Sequence, residues 1–238
     1  YAEKHTSLYK ARNLAIEKSK GDFISFLDID DLLNKNKLEL QIPYFKDEKV
    51  GVVFGNAWII KKNINEKKIY EKNILPSGNI FSKIVKKYNV GLLSALIRKT
   101  YFLKFEEKFD ERFSMIGDFD LFLRLSKICV FKSIQIPLAS VRLHGQNLTV
   151  LMKDKETEEM ETWLKENKCN LSGSYLQIIQ KKVNYSKFLH FKIEGKYKEC
   201  INILLNSKID LFNIKNLFLF FTPIILLKKL MWFYNDFK

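Results

Sequence analysis

Residues 23–31, FISFLDIDD, decide how the rest of the chain is read. Five uncharged, mostly apolar residues in a row fit a strand buried on both faces of a mixed or parallel sheet. They end in three carboxylates, Asp28, Asp30 and Asp31, within four positions. In open α/β sheets the carboxyl ends of strands are where ligands bind. Three neighbouring carboxylates repel one another and raise each other's pKa unless a cation shares the site. Oxygen donors of this kind suit Mg²⁺ or Mn²⁺ rather than a soft metal. A structural use stands beside that one: Asp30 or Asp31 could cap the next helix while Asp28 stays solvated.

Working outward, residues 7–19 place Leu8, Ala11 and Ala15 at helical spacing, with Ser7 as N-cap and Gly21 as the stop. Downstream the pattern predicts a helix at 37–45, a buried strand at 50–57 (VGVVFGNA) and a small polar hairpin over 58–70. A helix at 79–88, a strand at 94–99, a short amphipathic helix at 118–127 and strands at 129–134 and 138–145 follow. Strand and helix alternate, which makes this part α/β. Beyond it the pattern is helical only, over 149–168, 175–193 and 197–205. The expected division is residues 1–150 and residues 151–238.

Composition limits the function classes. Of 238 residues, 47% are hydrophobic and 14% aromatic, enough to bury a core and too many for a disordered tail. Nine Gly and four Pro exclude collagen-like and linker-rich designs. Cys129, Cys169 and Cys200 are far apart without a CxxC, so neither a disulfide framework nor a thiolate zinc site is expected. That usage fits a reducing compartment, with the cytoplasm as the expected location. The net charge of +14 rests on 36 Lys and only five Arg, all five within the first 150 residues. A nucleic-acid surface would recruit more Arg for bidentate and stacking contacts, so no nucleic acid is expected as partner. Solvated Lys faces, or attraction to anionic lipid and phosphate-bearing substrates, account for the charge.

Residues 211–238 carry LFLFFTPIILL (217–227), then Lys228, Lys229 and LMWFY. The apolar run is too short to span a bilayer, which takes about 20 residues. A helix lying in the membrane interface, with Trp232 and Tyr234 at headgroup depth, is one expectation, and a helix pair packed on the protein is the other. The first would place the protein peripherally on the cytoplasmic face of the inner membrane.

Two further segments carry chemistry. Gly117-Asp118-Phe119-Asp120 opens a helix in which Asp120 and Arg124 stand at i, i+4 as an ordinary ion pair. Asp118 follows a loop and could face a cleft as a general base, or simply favour the helix start. In Val141-Arg142-Leu143-His144 the alternation puts Arg142 and His144 on one strand face, suited to a diphosphate or its metal.

The order of these segments resembles family 2 glycosyltransferases. ARNLAIEKSKGDFISFLDIDD (11–31) is similar to the family's approach to its DxD element. LLSALIRKTYF (92–102), FDERF (109–113), GDFDLFLRLSK (117–127) and VRLHGQNLT (141–149) are similar to its later signatures, in order. The resemblance covers residues 1–150. It implies a GT-A (Rossmann-like) mixed sheet with flanking helices, a nucleotide-sugar donor, Mg²⁺ or Mn²⁺ and an inverting displacement. It implies Asp30 as metal ligand with His144 beside it, and Asp28 and Asp31 lining the nucleotide and metal site. Arg12 and Asn13 would lie near the nucleotide, Arg142 near the diphosphate, and Asp118 would be the catalytic base. The acceptor would be a saccharide or a lipid-linked saccharide in surface polysaccharide or lipopolysaccharide assembly. Position 117 is Gly where the family usually has Glu. The family also begins with a βαβ stretch ahead of the matched segment, so a chain opening at Tyr1 is expected to hold a truncated GT-A fold. Two rival readings stand at this point: a non-catalytic basic module for membrane or nucleic acid, and an inactive transferase remnant.

Overall fold

The structure is a computed structural model that describes residues 6–61, 66–144, 147, 152–206 and 220–223. It divides into two compact units, Tyr1–Glu156 and Thr157–Lys238. The first is built on a six-stranded mixed sheet in the order β1-β5-β3-β6-β2, with β4 paired to β3. The strands are β1 (Phe23–Ile24), β2 (Leu32–Leu33), β3 (Val50–Lys61), β4 (Glu66–Ile69), β5 (Leu96–Arg98) and β6 (Val130–Leu143). Among the described strands only β3 and β6 run parallel; the other pairings are antiparallel. Helices α1 (Leu8–Lys18), α2 (Lys37–Gln41), α3 (Phe81–Lys86), α4 (Lys99–Phe102) and α5 (Gly117–Leu125) accompany the sheet.

The centre of the sheet explains its composition. Val50, Val52, Val53 and Phe54 are fully buried although successive side chains point to opposite faces, so both faces of β3 are covered, and a neighbour on each edge takes its backbone groups. Each such side chain contributes about 1.5–3 kcal/mol by leaving water. At Gly55 the register between β3 and β6 shifts, and a Cβ there would lie 2.5 Å from Leu138. The two strands expected at 129–134 and 138–145 form one strand. The break in the pattern is an irregularity at Pro137, which has no N–H to offer a ladder.

The run FISFL is shorter as a strand than expected. Only Phe23 and Ile24 pair, with Arg98 and Ile97, and Leu27 is 55% exposed. β1 is an edge strand, and at Ser25 the chain turns to other partners. The Ser25 hydroxyl donates to Ala95 O and accepts from Lys37 Nζ, which also donates to Ala95 O at 3.0 Å. Lys37 is fully buried, and burial pulls its pKa down from 10.5 to about 8. Gln41 on the same helix donates to Val53 O and Ser94 O, so α2 stitches β1, β3 and the segment before β5 together.

The second unit is helical among its described residues. α6 (Lys153–Glu166) starts in the first unit, and α7 (Gly173–Ile193) and α8 (Tyr197–Asn206) follow. Trp163, Leu164, Ile179, Val183, Phe188 and Cys200 are buried. Lys187 pairs with Glu161 at 3.0 Å, and Gly195, at φ +74°, makes the turn between α7 and α8. Of the tail at 211–238 only residues 220–223 are described; there Phe220 O accepts from the buried Lys192 ammonium at 2.5 Å. The rest of that segment, with Trp232 and Tyr234, lies outside the described residues. No helix among the described residues is long and apolar enough to cross a membrane.

Lys37 has a measurable pH signature. Between its folded pKa of about 8 and the ordinary 10.5, the unfolded chain holds a proton that the folded chain has released. Stability therefore rises with pH across that window and is flat below it. Urea unfolding should show the wild type gaining roughly 3 kcal/mol on Lys37→Met between pH 7.5 and 10.5. Parallel pH profiles for the two proteins would contradict the burial argument.

Candidate active site

Helix α1 sets one wall. Ser7 caps it by accepting from the Lys10 amide, and the helix ends at Ser19. From its face Arg12 reaches Asp28 Oδ1 at 2.8 Å. The guanidinium stands 5.5–5.9 Å from the rings of Tyr9, Phe26 and Phe109. The aromatic surround fixes the arginine and leaves its charge directed at the carboxylate. Asn13 does something different. Its amide exchanges two hydrogen bonds of 2.9 Å with the Phe109 backbone and donates to Glu111 at 3.2 Å. It is buried, and its hydrogen bonds pin the 109–111 loop to α1.

Each of the carboxylates at 28–31 has its own protein partner. Asp31 Oδ1 accepts the Arg142 amide at 2.9 Å, and its own amide donates to Asp28 O. Burial and the charges of Asp30 and Asp28 push Asp31 upward in pKa, against the Arg142 amide and side chain. Asp30 Oδ2 meets His144 Nε2 at 2.9 Å, and that hydrogen bond is the main reason its pKa is lowered. Arg142 Nε donates to the Asp30 carbonyl. Neither Asp30 nor Asp31 caps α2, whose N-cap is Asn36. The loop is held against the end of β6 because Leu32 and Leu33 pair with Ser140 and Ala139.

Asn147 completes this corner and was not singled out by the sequence. Its Oδ1 accepts the His144 amide at 2.6 Å, while Nδ2 donates to Arg142 O at 3.2 Å and lies 3.4 Å from Asp30 Oδ2. The available signal was an Asn three residues after His144, the spacing of a turn that the Asn147 amide closes on His144 O. Asp30 and His144 bring a carboxylate oxygen and an imidazole nitrogen to one point; the carboxylate suits Mg²⁺ or Mn²⁺, and the imidazole makes the pair a better match to a transition-metal ion such as Mn²⁺ than to Mg²⁺. Among the described residues no group of three His, Cys, Asp or Glu side chains could hold a metal ion. Any ion at Asp30 and His144 would take its other ligands from solvent and substrate.

Asp118 sits in the first turn of α5, half-buried. Burial raises its pKa, opposed by the Tyr88 hydroxyl, the Phe119 amide and the charge of Arg12. Arg12 thus acts on the acidic loop and on Asp118 at once. Asp120 and Arg124 form the expected i, i+4 pair at 2.7 Å, and Arg124 also donates to Lys108 O. Gly117 has a steric reason. A Cβ there would lie 2.6 Å from two atoms of the Tyr9 ring. The space beside Asp118 that a side chain at 117 would take is filled from α1 by Tyr9.

Comparison with known proteins gives the family and the fold. The sequence profile of the family described as "Glycosyl transferase family 2" matches residues 2–124, more than half of the chain. The chain belongs to that family. It is 30% identical over 161 residues to an uncharacterized glycosyltransferase of Rickettsia bellii, covering 66% of this chain and 22% of that protein. It is 34% identical over 90 residues to the Escherichia coli UDP-Glc:alpha-D-GlcNAc-diphosphoundecaprenol beta-1,3-glucosyltransferase WfgD, covering 38% of this chain and 34% of that one. With the E. coli chondroitin synthase it shares 28% identity over 167 residues, covering 66% and 22%. The chain therefore spans about a fifth to a third of the length of these relatives. Among solved structures, residues 1–349 of S. aureus TarS in complex with UDP-GlcNAc superpose with a TM-score of 0.58 at 15% identity, over 85% of this chain and 62% of that one. The fold is that of a GT-A glycosyltransferase, a mixed sheet with flanking helices, followed here by a helical region.

The contact at Gly117 is testable without substrate. Gly117→Ala should destabilise the protein by about 1–3 kcal/mol in urea unfolding, because the Tyr9 ring must move. Truncating the buried Tyr9 to Ala costs stability by itself, so the contact is read from the cycle: Gly117→Ala should cost clearly less in a Tyr9→Ala background than in the wild type, and equal costs in the two backgrounds would refute the clash.

Proposed function

We propose that the protein transfers a sugar from a nucleotide-sugar donor to a saccharide or lipid-linked acceptor, with inversion, in the assembly of a cell-surface polysaccharide or lipopolysaccharide. The observation that carries this reading is the closure of His144, Arg142 and Asn147 on Asp30, with Asp118 set apart at a helix start near Arg12. Family membership supports the reaction class. WfgD by its name uses UDP-Glc and a diphosphoundecaprenol-linked acceptor, and the TarS neighbour binds UDP-GlcNAc, which support a UDP-sugar donor here.

In this reading Asp118 accepts the proton of the attacking acceptor hydroxyl. The acceptor oxygen bonds to the anomeric carbon from the face opposite the departing nucleoside diphosphate, whose bond to that carbon breaks. Asp118, raised in pKa by burial, is a stronger proton acceptor than a solvated carboxylate. Asp30 and His144 would hold a divalent ion, which when bound neutralises charge on the leaving diphosphate. Arg142 orders the same loop through its amide and guanidinium. Arg12 fixes Asp28, and Asn13 holds the loop that carries Phe109.

Transfer from a panel of radiolabelled UDP-sugars tests the assignment. Asp118→Asn and Asp30→Ala should each lower turnover by about 100-fold or more. Asp30→Ala should also weaken the calorimetric binding of UDP in the presence of Mn²⁺. Wild-type turnover in either variant would remove that residue from its role.

The basic, aromatic segment at 211–238 is proposed to attach the protein to the cytoplasmic face of the membrane. Co-sedimentation with vesicles containing anionic lipid should fall several-fold when Trp232 and Tyr234 are both replaced by Ala. Unchanged sedimentation would refute attachment through this segment.

A further inference from the structure

The two oxygens of Asp118 have different partners. Oδ1 accepts the amide of Phe119 at 2.8 Å, a local contact within the helix start. Oδ2 accepts the hydroxyl of Tyr88 at 3.0 Å, from the segment just after α3. The Tyr88 ring stands edge-on to Phe119, with centroids 5.6 Å apart and planes at 87°, so packing fixes the direction of its hydroxyl. On the other side Tyr9 fills the space over Gly117, and its phenol oxygen faces the amides of Gly117 and Asp118. Among the described residues, Arg12 from α1 and Tyr70 from the segment after β4 are further titratable groups that act on the carboxylate. Among the described residues Tyr88 is the one side chain hydrogen-bonded to it.

We propose that Tyr88 is the positioning residue of Asp118: its hydroxyl fixes the direction of the carboxylate and keeps it available as a proton acceptor, while Tyr9 braces the same helix start. This rests on the reading of Asp118 as the base. A carboxylate in a half-buried pocket can rotate or take up a proton before substrate arrives. A neutral donor on one oxygen opposes both, because a hydrogen bond to the charged form favours that form. A phenol does so without adding charge. Burial and the Asp118 charge hold the Tyr88 phenol well above its ordinary pKa, so Tyr88 donates and Asp118 accepts throughout the working pH range.

The titration of Asp118 itself decides the matter. Carboxyl ¹³C NMR of protein labelled at Asp, with the Asp118 signal assigned by its loss in Asp118→Asn, reads the midpoint directly. In Tyr88→Phe the midpoint should move up by about one pH unit. The acid limb of the kcat profile should move with it, KM should stay nearly constant, and activity should recover at higher pH. A folded Tyr88→Phe protein with the wild-type midpoint overturns the proposal. Site-specific incorporation of 3-fluorotyrosine at position 88 gives a second readout that keeps the shape and leaves Tyr9 and Tyr70 unchanged. Its more acidic phenol is a stronger donor, so the midpoint should fall, and an unmoved midpoint overturns the proposal equally. The base reading fails separately: Asp118→Asn with wild-type turnover removes it and leaves the titration result intact.

Discussion

The parallel pairing of β3 with β6 is the constraint on which the rest of the first unit depends. Each remaining strand reaches the sheet through one of these two, except β1, which joins through β5. β6 also carries β2 on its far edge, and this fixes the acidic loop. Asp30 lies two residues before Leu32, whose partner Ser140 lies two residues before Arg142. The meeting of Asp30 with Arg142 and His144 is therefore a consequence of register. A slip of one residue would turn Arg142 and His144 to the opposite face of the strand and open the corner.

Charge is distributed with the same economy. The chain is strongly basic through lysine, yet its five arginines all have defined partners. Arg12 holds Asp28, Arg98 donates to Phe45 O, Arg112 pairs with Asp110, Arg124 with Asp120, and Arg142 binds the loop at Asp30 and Asp31. A planar, permanently charged group that donates in several directions suits these junctions better than a flexible ammonium. Lys37 is the contrast: an ammonium in the core with only a hydroxyl and a carbonyl as partners, depressed in pKa by burial.

Much of this was legible in the sequence, and what was not has a common physical cause. FISFLDIDD and VRLHG mark the corner, and GDFD marks the separate helix start at Asp118, because each is a contiguous string whose spacing survives without the fold. The extent of the strands was less legible. Alternation cannot show that Ser25 leaves the sheet for Ala95 and Lys37, or that β6 continues through Pro137. Asn147 was within reach as part of a quoted motif, but its partner Asp30 is distant in the chain. Tyr9 and Tyr88 carried no signal at all. A tyrosine at helical spacing reads as core, and only the fold shows that one fills the space over Gly117 while the other meets Asp118.

The two halves of the site are built from opposite materials, and the proposed chemistry asks for that. Around Asp30 the partners are an imidazole, a guanidinium and an amide, all donors or cations, in a partly open corner where negative diphosphate would sit. Around Asp118 they are three phenols in a more enclosed setting, with Arg12 the nearest cation acting on it. A leaving group gains negative charge and is helped by cations. A base gains a proton and is weakened by them. Placing Arg12 between the two, tied to Asp28 and ringed by Tyr9, Phe26 and Phe109, lets one cation serve the acidic loop while its effect on Asp118 is countered by burial. The aromatic cage around Arg12 is thus part of the division between the two halves.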